Sequence, residues 1–72
     1  MVEIFRTNVK NKRLANRLVN VLTECLPAYA FNFDLDDCDR ILRAQSKGCP
    51  IETKKIIEIV KDNEIEISLF EE

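Results

Sequence analysis

Four short stretches of the chain mix large apolar or β-branched residues with polar ones over the length of a β-strand. The clearest runs from Tyr29 to Leu35, where large side chains alternate with small or polar ones. The others run from Val2 to Asn8, from Arg40 to Ser46 and from Ile65 to Leu69. In the first stretch two neighbouring residues, Ile4 and Phe5, are both apolar, so its pattern leaves open which side faces the core.

Two longer segments have the spacing of apolar residues that is typical of amphipathic helices. In the segment from Lys12 to Leu26 the apolar face consists of Leu14, Leu18, Val21, Leu22 and Cys25. Pro27 ends this helix because proline lacks a backbone donor and disfavours helix at the residue before it. The second helix begins near Pro50, and its apolar stripe consists of Ile56, Ile57, Ile59 and Val60. On this pattern Cys25 is expected to be a small core side chain.

The predicted order of elements is therefore βαββαβ, with a hairpin turn at residues 36–39 joining the two middle strands. This order predicts a ferredoxin-like α+β sandwich, because each βαβ unit crosses over with right-handed topology. The expected architecture is one four-stranded antiparallel sheet with both helices on one face, formed by residues 1–72 as a single domain. The other face of the sheet stays open.

Composition narrows the function classes. The chain has 72 residues, of which 46% are hydrophobic, and a formal net charge of -2, so it lacks the positive field on which nonspecific nucleic-acid binding depends. The third strand also carries no aromatic residue for stacking bases, which argues against an RNA-recognition surface. No apolar run approaches the length of a membrane span, and the first residues do not form a signal peptide. We therefore expect a cytoplasmic protein with no nucleic-acid or membrane partner.

The residues that commonly carry chemistry are scarce. There is no histidine, which removes the commonest general base and transition-metal ligand, and we expect no catalysis and no cofactor. Three cysteines without close spacing fit neither a disulfide framework nor a paired zinc site. The aspartates at 34, 36, 37 and 39 fit turn chemistry better than a calcium loop, which needs a central glycine and a final glutamate. The alternative is a copper or zinc carrier or sensor that uses Cys38 or Cys49, with ligands drawn from one copy or from two across a dimer.

The loop after the first strand reads Asn8-Val9-Lys10-Asn11-Lys12-Arg13-Leu14. With the aromatic second strand and the stretch Ile56-Ile57-Glu58, it makes the whole chain resemble the heavy-metal-associated domain of copper chaperones and metal-pumping ATPases. That family has the motif Met-Thr-Cys-x-x-Cys at this loop, and the resemblance aligns Val9 with its Met, Asn11 with its first Cys and Leu14 with its second. An amide and an alkyl chain cannot replace two soft thiolates. The resemblance thus implies the family's fold without its metal site.

The same loop carries the candidate contact surface. A helix N-terminus favours anions, and basic residues near this loop help the resembling chaperones to meet acidic partner domains. We therefore predict that a protein with an acidic surface binds at Lys10, Asn11, Lys12, Arg13 and Arg17, against the simpler interpretation of a solvated charged helix face. An acylphosphatase-like site would join Arg13 to Asn11 but lacks a glycine-rich cradle. The final strand, from Ile65 to Phe70, offers an edge on which a homodimer could form.

Overall fold

The computed structural model describes residues 1–35 and 40–70, and within them the elements follow the predicted order. They are β1 (Val2–Thr7), α1 (Lys12–Cys25), β2 (Tyr29–Asp34), β3 (Ile41–Ser46), α2 (Thr53–Asp62) and β4 (Ile67–Leu69). The predicted turn at residues 36–39 lies outside the described residues. The predicted ends are within one residue for the first four elements and differ more at the starts of α2 and β4.

Those two differences have local causes. The Glu52 N–H donates to the Tyr29 hydroxyl at 3.1 Å, and the Glu52 carbonyl accepts the Ile56 N–H, so α2 begins only at Thr53. After α2, the Ile65 N–H still donates to the Val60 carbonyl of the helix. Ile65 is therefore buried in the turn that leaves α2, and the strand begins two residues later than predicted.

The sheet has the strand order β2-β3-β1-β4, with every neighbouring pair antiparallel. This order confirms the predicted ferredoxin-like α+β fold. Phe5 of β1 lies opposite Leu42 of β3, and both are fully buried on the helix side of the sheet. Ile4 points to the other face, opposite Arg43, and is half-buried. The pairing thus settles which side of β1 faces the core.

One core joins both helices to the sheet. Its buried members are Phe5, Val9, Ala15, Leu18, Leu22, Phe31, Leu42, Ala44, Ile56, Val60, Ile65 and Ile67. Because strand side chains alternate between faces, these members place α1 and α2 on the same side of the sheet. The prediction that Cys25 belongs to this core was wrong, since Cys25 is exposed. The buried face of α1 is centred on Ala15, Leu18 and Leu22, and Cys25 lies at its margin, at the last residue of the helix.

The element order gives the domain two ends. At the first, which we call the loop end, β1 and β2 finish, β3 and β4 begin, α1 starts and α2 finishes. At the second, α1 finishes and α2 starts. Neither helix in the described ranges has the length and apolar content that crossing a bilayer takes.

Candidate functional site

The loop between β1 and α1 is fixed to the strands on both sides of it. The Thr7 hydroxyl donates to the Arg40 carbonyl at 2.7 Å and accepts the Val9 N–H at 3.3 Å. On the other side, the Asn8 N–H donates to the Glu66 carbonyl at 3.2 Å, and the Glu66 N–H donates to Asn8 Oδ1 at 3.1 Å. Side chains and backbone together thus hold the loop in one position before the helix begins.

The residues aligned with the metal-binding motif of the resembling family have structural roles. Val9 is fully buried in the core. Asn11 is the N-cap of α1: its backbone is extended, and its Oδ1 accepts the Leu14 N–H at 2.8 Å. Leu14 is half-buried and packs against the core. The loop is therefore built as a helix start, in which Asn11 Oδ1 is engaged as the cap.

The alternative metal ligands, Cys38 and Cys49, lie only partly within the described residues. Among residues 1–35 and 40–70, no group of three or more His, Cys, Asp or Glu side chains could hold a metal ion. Cys38 lies outside the described residues. Cys49 is half-buried beside Ser46, whose hydroxyl donates to the Cys49 carbonyl, at the end of the sheet opposite the loop end.

The four basic residues of the candidate surface are all exposed, and none forms an ion pair within the described part of the chain. Lys10 lies in the loop, and Lys12 and Arg13 are the first two residues of α1. The first turn of α1 contains no acidic residue, so nothing there balances the positive end of the helix dipole. Among the described residues, exposed cations therefore gather at the start of α1 although the chain as a whole is acidic.

Arg17 has different neighbours from the other three. It lines a pocket of about 270 Å³ between α1 and the end of α2, together with the carboxylate residues Asp62 and Glu64. Lys12 lies on the opposite flank of α1 and faces β2. Asp34 lines the same groove as Lys12. The predicted surface is thus basic at Lys10 and Arg13 and has a carboxylate near both Lys12 and Arg17.

The sequence interpretation did not include the carboxylates of Asp62 and Glu64, because they follow Arg17 by more than forty positions. The signal that could have found them was the predicted topology, which brings the end of α2 to the start of α1. We name the basic part, Lys10, Lys12 and Arg13 with the Asn11 cap, the basic corner.

No family model, curated protein or solved structure matches this chain. Strand order and core packing define it as a ferredoxin-like α+β domain. The resemblance to the heavy-metal-associated domain stays a prediction, and the functional argument rests on the geometry of the loop end.

Proposed function

We propose that this domain is a non-catalytic interaction module of the cytoplasm, a divergent heavy-metal-associated domain that has lost its thiolate metal site. It docks an acidic surface of a partner protein through the basic corner, with Arg17 at the margin of the contact. The observation that carries the proposal is that three exposed cations surround a helix N-terminus with no acidic residue in its first turn.

Two physical effects favour an anionic partner at this position. A carboxylate placed near the first turn of α1 interacts with the helix dipole as well as with the cations, and each such contact contributes about 0.3 to 1 kcal/mol. The backbone that presents the cations is already fixed by the hydrogen bonds of Thr7, Asn8 and Asn11. Binding therefore costs less conformational entropy than it would for a flexible basic tail.

The same geometry supports a role that does not use the thiolate metal site of the resembling family. Asn11 and Leu14 are committed to starting the helix and closing the core, so the positions aligned with the thiolates have other functions. Cys25 and Cys49 are free thiols, which fits a reducing compartment such as the cytoplasm.

A titration with a synthetic peptide of alternating Asp and Gly, followed by NMR, tests the proposal. We expect amide shifts centred on residues 9–14 that disappear at high salt, because contacts between exposed charges are screened. A peptide of the same length with Lys in place of Asp is the ligand control and should leave these amides unchanged.

A matched pair of double variants separates the basic corner from net charge. Lys12→Glu with Arg13→Glu should abolish binding of the Asp peptide, whereas Lys47→Glu with Lys54→Glu alters net charge equally at the other end of the molecule and should retain most of it. Equal losses in both doubles, or shifts spread over the whole surface, would refute a specific site at the basic corner.

A further inference from the structure

The two edges of the sheet differ in how well they are protected against pairing with another strand. β2 has six residues, with Asp34 as its only charged residue, and it contains neither Pro nor Lys. β4 has three residues and is preceded by the carboxylates Glu64 and Glu66. Natural edge strands are blunted by shortness and charge, and only β4 has both.

The direction of the backbone groups along the edge follows from the pairing at the far end of β3. The Ser46 N–H donates to the Met1 carbonyl at 2.9 Å, and the Met1 amino group donates to the Ser46 carbonyl at 2.8 Å. The backbone groups of Ser46 therefore point toward β1. Because this direction alternates along an antiparallel strand, those of Gln45 and of every second residue before it point toward β2.

These backbone groups of β3 pair with those of Ala30, Asn32 and Asp34 in β2. The N–H and C=O groups of Phe31 and Phe33 consequently point away from the sheet. No hydrogen bond from elsewhere in residues 1–35 and 40–70 reaches them. β2 thus presents two donors and two acceptors in a row.

We propose that β2 pairs antiparallel with β2 of a second copy of this chain, joining the two sheets into one. With Asn32 on the two-fold axis, Phe31 of each copy lies opposite Phe33 of the other. This register makes four hydrogen bonds and uses every one of the outward N–H and C=O groups of Phe31 and Phe33 in both chains. The alternative register centred on Phe31 needs the Tyr29 N–H, which already donates to the Leu26 carbonyl at 3.1 Å.

The side chains at this edge are also self-complementary. On the helix face, a groove between α1 and β2 leaves Val19, Phe33 and Leu35 half-buried. The proposed register sets Phe31 beside Phe33 of the second copy, a cross-strand aromatic pair that stabilises a sheet. On the open face the two Asn32 side chains meet, and each amide can donate to the other. Asp34 lies opposite Ala30 of the second copy, so no like charges meet.

The same pairing through β4 would be shorter. A two-fold axis at Ser68 leaves only the three residues of β4 to pair, against six in β2, and carboxylates flank both strands in the sequence. The proposal therefore uses β2 where the sequence led us to expect a homodimer edge at Ile65 to Phe70.

The test compares one lysine substitution at each edge. Asn32→Lys places two ammonium groups against each other across the proposed axis, and the matched control Ser68→Lys makes the same change in the middle of β4. Both new lysines lie opposite an arginine of the neighbouring strand, Arg43 and Arg6 respectively. In analytical ultracentrifugation we expect a concentration-dependent dimer whose dissociation constant rises roughly tenfold or more in Asn32→Lys only. Thermal unfolding of both variants shows whether they remain folded.

A disulfide test fixes the register. In a chain with Cys25, Cys38 and Cys49 changed to Ser, Asn32→Cys should form a disulfide-linked dimer on mild oxidation, because facing residues of a non-hydrogen-bonded pair have the Cα separation that a disulfide needs. Ser68→Cys in the same background should stay monomeric on non-reducing gels. A chain that is monomeric at all concentrations, or a dimer weakened by Ser68→Lys and not by Asn32→Lys, would overturn the proposal.

Discussion

Asn11 Oδ1 accepts the backbone N–H of Leu14 at 2.8 Å, so the two positions aligned with the paired cysteines of the resembling family are joined here by a helix cap. This bond satisfies one of the N–H groups that a helix leaves free at its start. The loop thus contributes to the stability of the domain through this cap.

The cap should be measurable in unfolding experiments. Asn11→Ala removes the acceptor and is expected to lower the free energy of unfolding by about 1 kcal/mol, the usual cost of losing an N-cap. Asn11→Asp keeps an acceptor and should cost little. Asn16→Ala, an exposed change inside the same helix, should be neutral or slightly stabilising because alanine favours helix. Urea unfolding of the three variants measures these differences, and an Asn11→Ala variant as stable as the parent would contradict the cap.

Val9 connects the loop to the core, and a second prediction follows from its complete burial. Val9→Ala removes two buried methyl groups and leaves a cavity, which should destabilise the fold by roughly 2 kcal/mol. Val2→Ala is the matched control, since Val2 is 51% exposed and should change stability by less than about 0.5 kcal/mol. Similar losses from the two substitutions in urea unfolding would show that Val9 is not packed as described.

The same substitution of Lys by Glu should change stability in opposite directions at the two ends of a helix. Lys12→Glu places an anion at the positive end of α1 and should raise stability by about 0.3 to 1 kcal/mol. Lys61→Glu places the same anion in the last turn of α2 and should lower stability by a similar amount. Thermal unfolding at low and high salt measures both, and the difference between the variants should shrink as salt is added. Effects of the same sign in the two variants would exclude the dipole as their cause.

The sequence predicted the order of the elements because each carries its own period of apolar residues, with Tyr29 to Leu35 as the plainest case. It could not show whether Ile4 or Phe5 faces the core, because either face of the strand would then carry one apolar residue. The pairing of β1 with β3 decides this. It also misplaced Cys25, whose spacing matched the apolar face although the helix ends at that residue. The spacing of apolar residues along a helix does not show where the neighbouring elements stop packing against it.

The candidate site could also be predicted only in part, because only some of its residues are close together in the sequence. Lys10, Lys12 and Arg13 are close in sequence, so their grouping at the start of α1 followed directly from the helix prediction. The carboxylates of Asp62 and Glu64 beside Arg17 depend on the packing of α2 against α1. The free hydrogen-bonding groups of Phe31 and Phe33 depend on strand order, which places β2 and not β3 at the edge.

The geometry of the cap also predicts that a metal site can be introduced at this loop. The side chains at the N-cap and three residues later lie over the same helical turn, so Asn11→Cys with Leu14→Cys should place two thiols close together. A thiol at a helix N-terminus ionises readily, and the basic corner balances the charge of two thiolates. In a background with Cys25, Cys38 and Cys49 changed to Ser, this double variant should bind one Cu(I) in competition with a chromogenic chelator. Asn11→Ser with Leu14→Ala in the same background is the control and should bind none. If the double cysteine variant removed no more Cu(I) from the chelator than this control, the loop would not have the geometry of the resembling family.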